Sequence, residues 1–86
     1  MPQLQLLYFA WVRERVGHDG EQIAAPAADT TITALLDRLS AGSPAHAAAF
    51  ADRSRLRAAL DQCFVPLDAE IGRARELALF PPVTGG

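Results

Sequence analysis

Eighty-six residues, half of them apolar, make one domain with a single modest core. A formal net charge of −2 gives no general attraction for nucleic acid or for anionic lipid, and no apolar run approaches the ~20 residues a membrane span needs. The lone Cys63 excludes an intramolecular disulfide and fits a reducing, cytoplasmic setting.

The opening "MPQLQLLYFA" lacks a basic n-region and a long apolar stretch, so it does not read as a signal peptide. "LQLLYFAWVRE" alternates over part of its length and predicts a first strand. Leu4, Leu6 and Tyr8 face one way, and Gln5, Leu7 and Phe9 the other. Arg13 and Arg15 flank Glu14 just beyond it. "GHDG" is a turn signal, and "EQIAA", centred on Ile23, predicts a short strand returning antiparallel.

"TTITALLDRLSAG" is the clearest helix. Ile32, Leu35, Leu36 and Leu39 fall on one stripe, Thr31 is placed to cap its start, and Gly42 ends it. "SPAHAAAFAD" predicts a shorter helix with Ser43 as N-cap, Pro44 at the first helical position and Phe50 as anchor. Arg53, Arg55 and Arg57 alternate along a presumed strand and read as a solvated face. Strand character returns over Leu56 to Leu60, Asp61-Gln62 marks a tight turn, and "CFVPL" continues beyond it. "ELALF" predicts the last strand, with Leu77 and Leu79 on one face and Ala78 and Phe80 on the other. A hairpin, a helix across one sheet face and further strands make a two-layer α+β domain. If the first and last strands are central neighbours, they run parallel.

The chain stops on "FPPVTGG". Pro81 and Pro82 have no ladder donors, so pairing of the last strand is expected to end at Phe80. Val83, Thr84, Gly85 and Gly86 then extend by at most about 13–14 Å, a reach suited to a narrow pocket on another protein. The expected division is a folded domain over 1–82 and a flexible tail over 83–86. Glycines without Cβ atoms let the backbone approach a nucleotide closely. A carboxylate is a poor electrophile, but its acyl-adenylate, made with ATP, is open to attack by an amine or by sulfur.

Taken together, "LLYFAWVRERVG", "TITALLDRL", "LDQCFVPLD" and above all "LALFPPVTGG" resemble the small, sulfur-carrying subunits of molybdopterin synthases, within the ubiquitin-like β-grasp group. The resemblance implies a mixed sheet with one main helix packed across it and a second short helix. It implies that an adenylating enzyme related to ubiquitin activators modifies the Gly86 carboxylate and that sulfur then replaces an oxygen. The thiocarboxylate donates to a cyclic pyranopterin monophosphate inside a large catalytic subunit, in a heterotetramer. No permanently bound cofactor is implied, and the catalytic side chains belong to the large subunit. Phe9, Phe64 and Phe80 match positions of the family's hydrophobic partner patch, and Arg13 matches a family arginine. Two departures stand out: Asp61 where the family has asparagine, and "IGRARE", with Arg73 and Arg75, where it has an acidic turn. Delivery of sulfur to another acceptor (a thiazole or cysteine precursor), modification of other proteins through an amide, and an inert interaction module stay open.

The remaining candidates read as structural. Cys63 has no neighbour in sequence to lower its pKa and is expected in the core. His18 and His46 lack metal-ligand spacing. All eight basic residues are arginine, which reads as coding bias before any avoidance of amines near an activated carboxyl end.

Overall fold

The computed structural model describes residues 2–82. In chain order the elements are β1 (Gln3–Tyr8), α1 (Ala10–Val16), β2 (Gly20–Ala24), α2 (Ile32–Gly42), α3 (Pro44–Ala49), β3 (Arg57–Leu60), β4 (Cys63–Val65) and β5 (Glu76–Phe80). The strands form one mixed sheet in the order β2-β1-β5-β3-β4. β1 and β5 are parallel neighbours, and every other pairing is antiparallel. The fold is the ubiquitin-like β-grasp, with the last strand at the centre of the sheet.

Both helices expected from the sequence begin where their caps place them. The Thr31 hydroxyl accepts from the Ala34 N–H at 3.1 Å, and Ser43 does the same for His46 at 3.4 Å, ahead of Pro44. Ile32, Leu35 and Leu36 are buried, and Leu39 packs half-buried at the end of the stripe. The 66–72 segment lies over the start of α2. Its carbonyls at Ala69 and Leu67 accept from Ile32 and Thr33 at 3.0 and 2.9 Å, groups that the first helical turn leaves unpaired.

One element departs from expectation. The first strand ends at Tyr8, and residues 10–16 form α1 instead of more strand or loop. Trp11 and Val12 favour strands locally, but Val12 and Val16, one turn apart, are both buried. Ala10 takes a left-handed φ of 53° between the strand and the helix, which breaks the alternation. Gly17, at φ 102°, closes α1 by donating its N–H to the Arg13 carbonyl at 2.9 Å. Arg53 and Arg55 also depart. They lie in a 3-10 turn, and only Arg57 is in a strand. Arg53 pairs with Asp37 at 2.9 Å, while Arg55 and Arg15 cover the Trp11 ring at 5.4 and 4.9 Å.

The core gathers Leu4, Leu6 and Tyr8 of β1, Leu77 and Leu79 of β5, the α2 stripe, Phe50 and Leu56. Glu21 reaches in from the edge strand β2. Its Oε2 accepts from the Tyr8 hydroxyl and meets His46 Nε2, both at 2.7 Å. Burial and this hydrogen bond push the Tyr8 hydroxyl far above its usual range, so it stays protonated. Burial alone would raise the Glu21 pKa, but the bonds from His46 and Tyr8 outweigh it, and the carboxyl sits below its usual range. A lowered folded-state pKa stabilises above the unfolded value and loses that contribution as pH falls through the folded one. Wild type is therefore expected to exceed Glu21→Gln by about 1 kcal/mol near neutrality in urea unfolding. The gap narrows below the ordinary carboxylate range, and a gap unchanged down to pH 3 would contradict this reading.

Candidate partner-binding face and carboxyl end

The helices cover one face of the sheet. On the other, backbone register aligns Leu7, Ala78, Ala59 and Phe64 in one row across β1, β5, β3 and β4. The next row on that face pairs Phe80 with Arg57, and the Phe9 N–H continues the parallel ladder to the Leu79 carbonyl at 3.2 Å. The alternation read from β1 and β5 therefore holds: Leu77 and Leu79 are fully buried, and Phe80 stands half-buried opposite them.

Phe9 and Phe64 are the large hydrophobic residues left exposed among those described, at 48% and 81%. Phe64 and Phe80 lean together over β3, ring centroids 5.5 Å apart. The two rings belong to adjacent rows, Phe64 opposite Ala59 and Phe80 opposite Arg57, so they meet diagonally across β3. Around this pair lies a cleft of about 360 Å³, lined by Arg57, Ala58, Phe64, Val65, Pro66 and Phe80. A second hollow, about 430 Å³, brings Phe9 and Arg13 together with Leu7 and Gly20. Folding thus gathers Phe9, Arg13, Phe64 and Phe80 toward the end of the sheet where β5 leaves it. Exposed aromatic groups of this kind mark interaction surfaces.

Pro81 and Pro82 follow β5, and its pairing stops at Phe80 as expected. Val83, Thr84, Gly85 and Gly86 lie outside the described residues.

Asp61 does more than turn the chain. It and Gln62 hold left-handed φ values of 48° and 70° in the β3–β4 turn, a two-residue reversal that requires positive φ at both positions. Its carboxylate also accepts from the Arg75 and Glu76 N–H groups at 2.9 and 3.1 Å, which ties that turn to the start of β5. Asparagine supplies the same acceptor, so the departure at this position preserves the geometry. Nothing in the local sequence pointed to this link, because its partners are more than a dozen residues away.

Cys63 is exposed, contrary to its expected place in the core. Its register places it in the helix-side row with Leu60 and Leu77, but β4 is a three-residue edge strand with a neighbour on one side only. Among the described residues no group of three His, Cys, Asp or Glu is placed to hold a metal ion. The His46–Glu21 pair serves the core contact already described.

A model of the ThiS family matches residues 6–86. The molybdopterin synthase sulfur carrier subunit of Escherichia coli is 41% identical over 83 residues, 96% of this chain and 99% of that one. The protein of the same name from Haemophilus influenzae is 35% identical over the same shares. Among solved structures, the small archaeal modifier protein 1 of H. volcanii superposes with a TM-score of 0.72 at 25% identity, covering 96% of this chain and 100% of that chain.

Proposed function

The chain belongs to the ThiS family, and from that membership we propose that it is a sulfur carrier subunit of a molybdopterin synthase. The observation that carries this reading is a match that runs through residue 86, and so includes Phe-Pro-Pro-Val-Thr-Gly-Gly behind a central strand. A Gly86 carboxylate oxygen attacks the α-phosphorus of ATP in an adenylating enzyme and pyrophosphate leaves. A reduced sulfur donor then attacks the acyl carbon and expels AMP, leaving a thiocarboxylate. Inside the large subunit this sulfur attacks a side-chain carbon of a cyclic pyranopterin monophosphate, forming a C–S bond as a C–O bond of that carbon breaks and its oxygen leaves with the phosphate or as water. Water releases the tail as a carboxylate, and a second loaded carrier supplies the other dithiolene sulfur. The globule's part is to present the tail and to dock through Phe9, Arg13, Phe64 and Phe80, with Pro81 and Pro82 directing the exit.

Intact mass after incubation with ATP, a sulfur donor and the adenylating enzyme tests this. Exchange of one terminal oxygen for sulfur supports a carrier, and no change under complete conditions overturns it. The likeness to a small archaeal modifier protein favours one second reading, amide attachment to other proteins, which conjugates of higher mass would reveal.

Phe80→Ala is expected to weaken binding to the large subunit by about 1–3 kcal/mol, more than it lowers stability. Titration calorimetry and urea unfolding compare the two losses. A larger loss of stability than of binding would assign Phe80 to the core.

A further inference from the structure

Arg57 stands on the open sheet face as the cross-strand partner of Phe80, and it lines the cleft that Phe64 and Phe80 enclose. Its Nη1 donates to the carbonyls of Leu56 at 2.9 Å and Ser54 at 3.3 Å. The guanidinium is therefore held by its own backbone, with less freedom left to lose on binding. Neither Nε nor Nη2 of Arg57 makes a hydrogen bond among the described residues. No ion pair among them involves Arg57 either: Asp37 is taken by Arg53, and Asp68, across the neighbouring cleft, makes none with it. The free Nε–Nη2 edge of an arginine is the fork that receives a carboxylate through two parallel bonds. A volume of about 360 Å³ beside it, walled by two phenyl rings, takes one large apolar side chain.

We infer that this cleft reads a partner segment in which a large apolar side chain is followed closely by an aspartate or glutamate. The apolar group packs into the cleft beside the paired rings of Phe64 and Phe80, and the carboxylate closes on Arg57. The charge is what sets the occupant: an apolar partner without a carboxylate leaves a fixed guanidinium edge unpaired next to a desolvated contact. This deepens the carrier reading by giving the chemistry of the partner's docking segment, and it rests on that reading for the identity of the partner.

Two arms test it. In the first, 3-phenylpropionate and its uncharged amide are titrated into the full chain and followed by NMR. The acid is expected to bind about three- to tenfold more tightly than the amide, with shifts at Phe64, Phe80 and the Arg57 side chain, and Arg57→Leu is expected to erase the preference. In the second, binding to the large synthase subunit is measured for folded Arg57→Leu and Arg57→Glu. Losses of about threefold and about tenfold or more are expected, the second relieved by lysine in place of the facing carboxylate. The inference is overturned if acid and amide bind alike, or if Arg57→Glu binds the large subunit as wild type does. A chain that prefers the acid but never binds the large subunit keeps the cleft's chemistry and removes the carrier reading instead.

Discussion

Deleting Gly86 is expected to abolish sulfur transfer while leaving the folded domain intact. Among the described residues the buried cluster ends at Leu79 and ladder pairing at Phe80, and the two prolines after it have no N–H to donate to the sheet. The folded domain is therefore expected to stand without the last residue, and the urea midpoint is not expected to move. The carbonyl proposed to react would, by contrast, retreat by one residue, roughly 3.3–3.6 Å along an extended chain. Misplacement by about 1 Å already costs on the order of 10²-fold in a positioned reaction. Single-turnover transfer from a loaded carrier is thus expected to fall at least that far, with binding to the large subunit nearly retained. A deletion variant that unfolds, or that still delivers sulfur, would refute the role assigned to the carboxyl end.

The largest loss of stability is expected from Phe50→Ala. Phe50 is fully buried at the end of α3, where its ring meets Tyr8 and His46 at centroid distances of 6.3 and 5.9 Å. Its N–H closes the helix on the His46 carbonyl at 2.9 Å. Truncation to alanine leaves a cavity between α3 and the sheet and is expected to cost about 3–5 kcal/mol. A domain of this length has roughly 4–13 kcal/mol in total, so the variant is marginal or unfolded. Urea unfolding measures the loss directly, with Phe50→Leu as a control that retains much of the volume. A cost under about 1 kcal/mol would show that α3 is not anchored by this ring.

Much of the domain was written locally. Thr31 and Ser43 mark where their helices start because a hydroxyl at that position pairs the next turn's free N–H. Asp61 marks a reversal because an aspartate side chain tolerates left-handed backbone, and Gln62 follows it there. Alternation in β1 and β5 divided their residues between two faces correctly, since the side-chain period of a strand is two whatever lies beside it. The terminal Phe-Pro-Pro-Val-Thr-Gly-Gly run pointed to the family whose model matches residues 6–86.

Neighbours are another matter, because periodicity says which way a residue faces and not what it meets. Residues 10–16 read as the end of a strand and a loop, and they are helical because Val12 and Val16 have a core to fill. Cys63 has the parity of a core residue but falls on the edge strand, so it is exposed. The carboxylate of Asp61 gripping the start of β5 depends on strand order, and Glu21 held by Tyr8 and His46 depends on strand order and on where α3 packs. The pairing of Arg57 with Phe80 on the open face depends on strand order too. The amino-acid sequence by itself determined most of the elements and which way their residues face. Only the tertiary structure decided which side chains share a surface, because those contacts join residues far apart in the chain, and no local pattern encodes their distance.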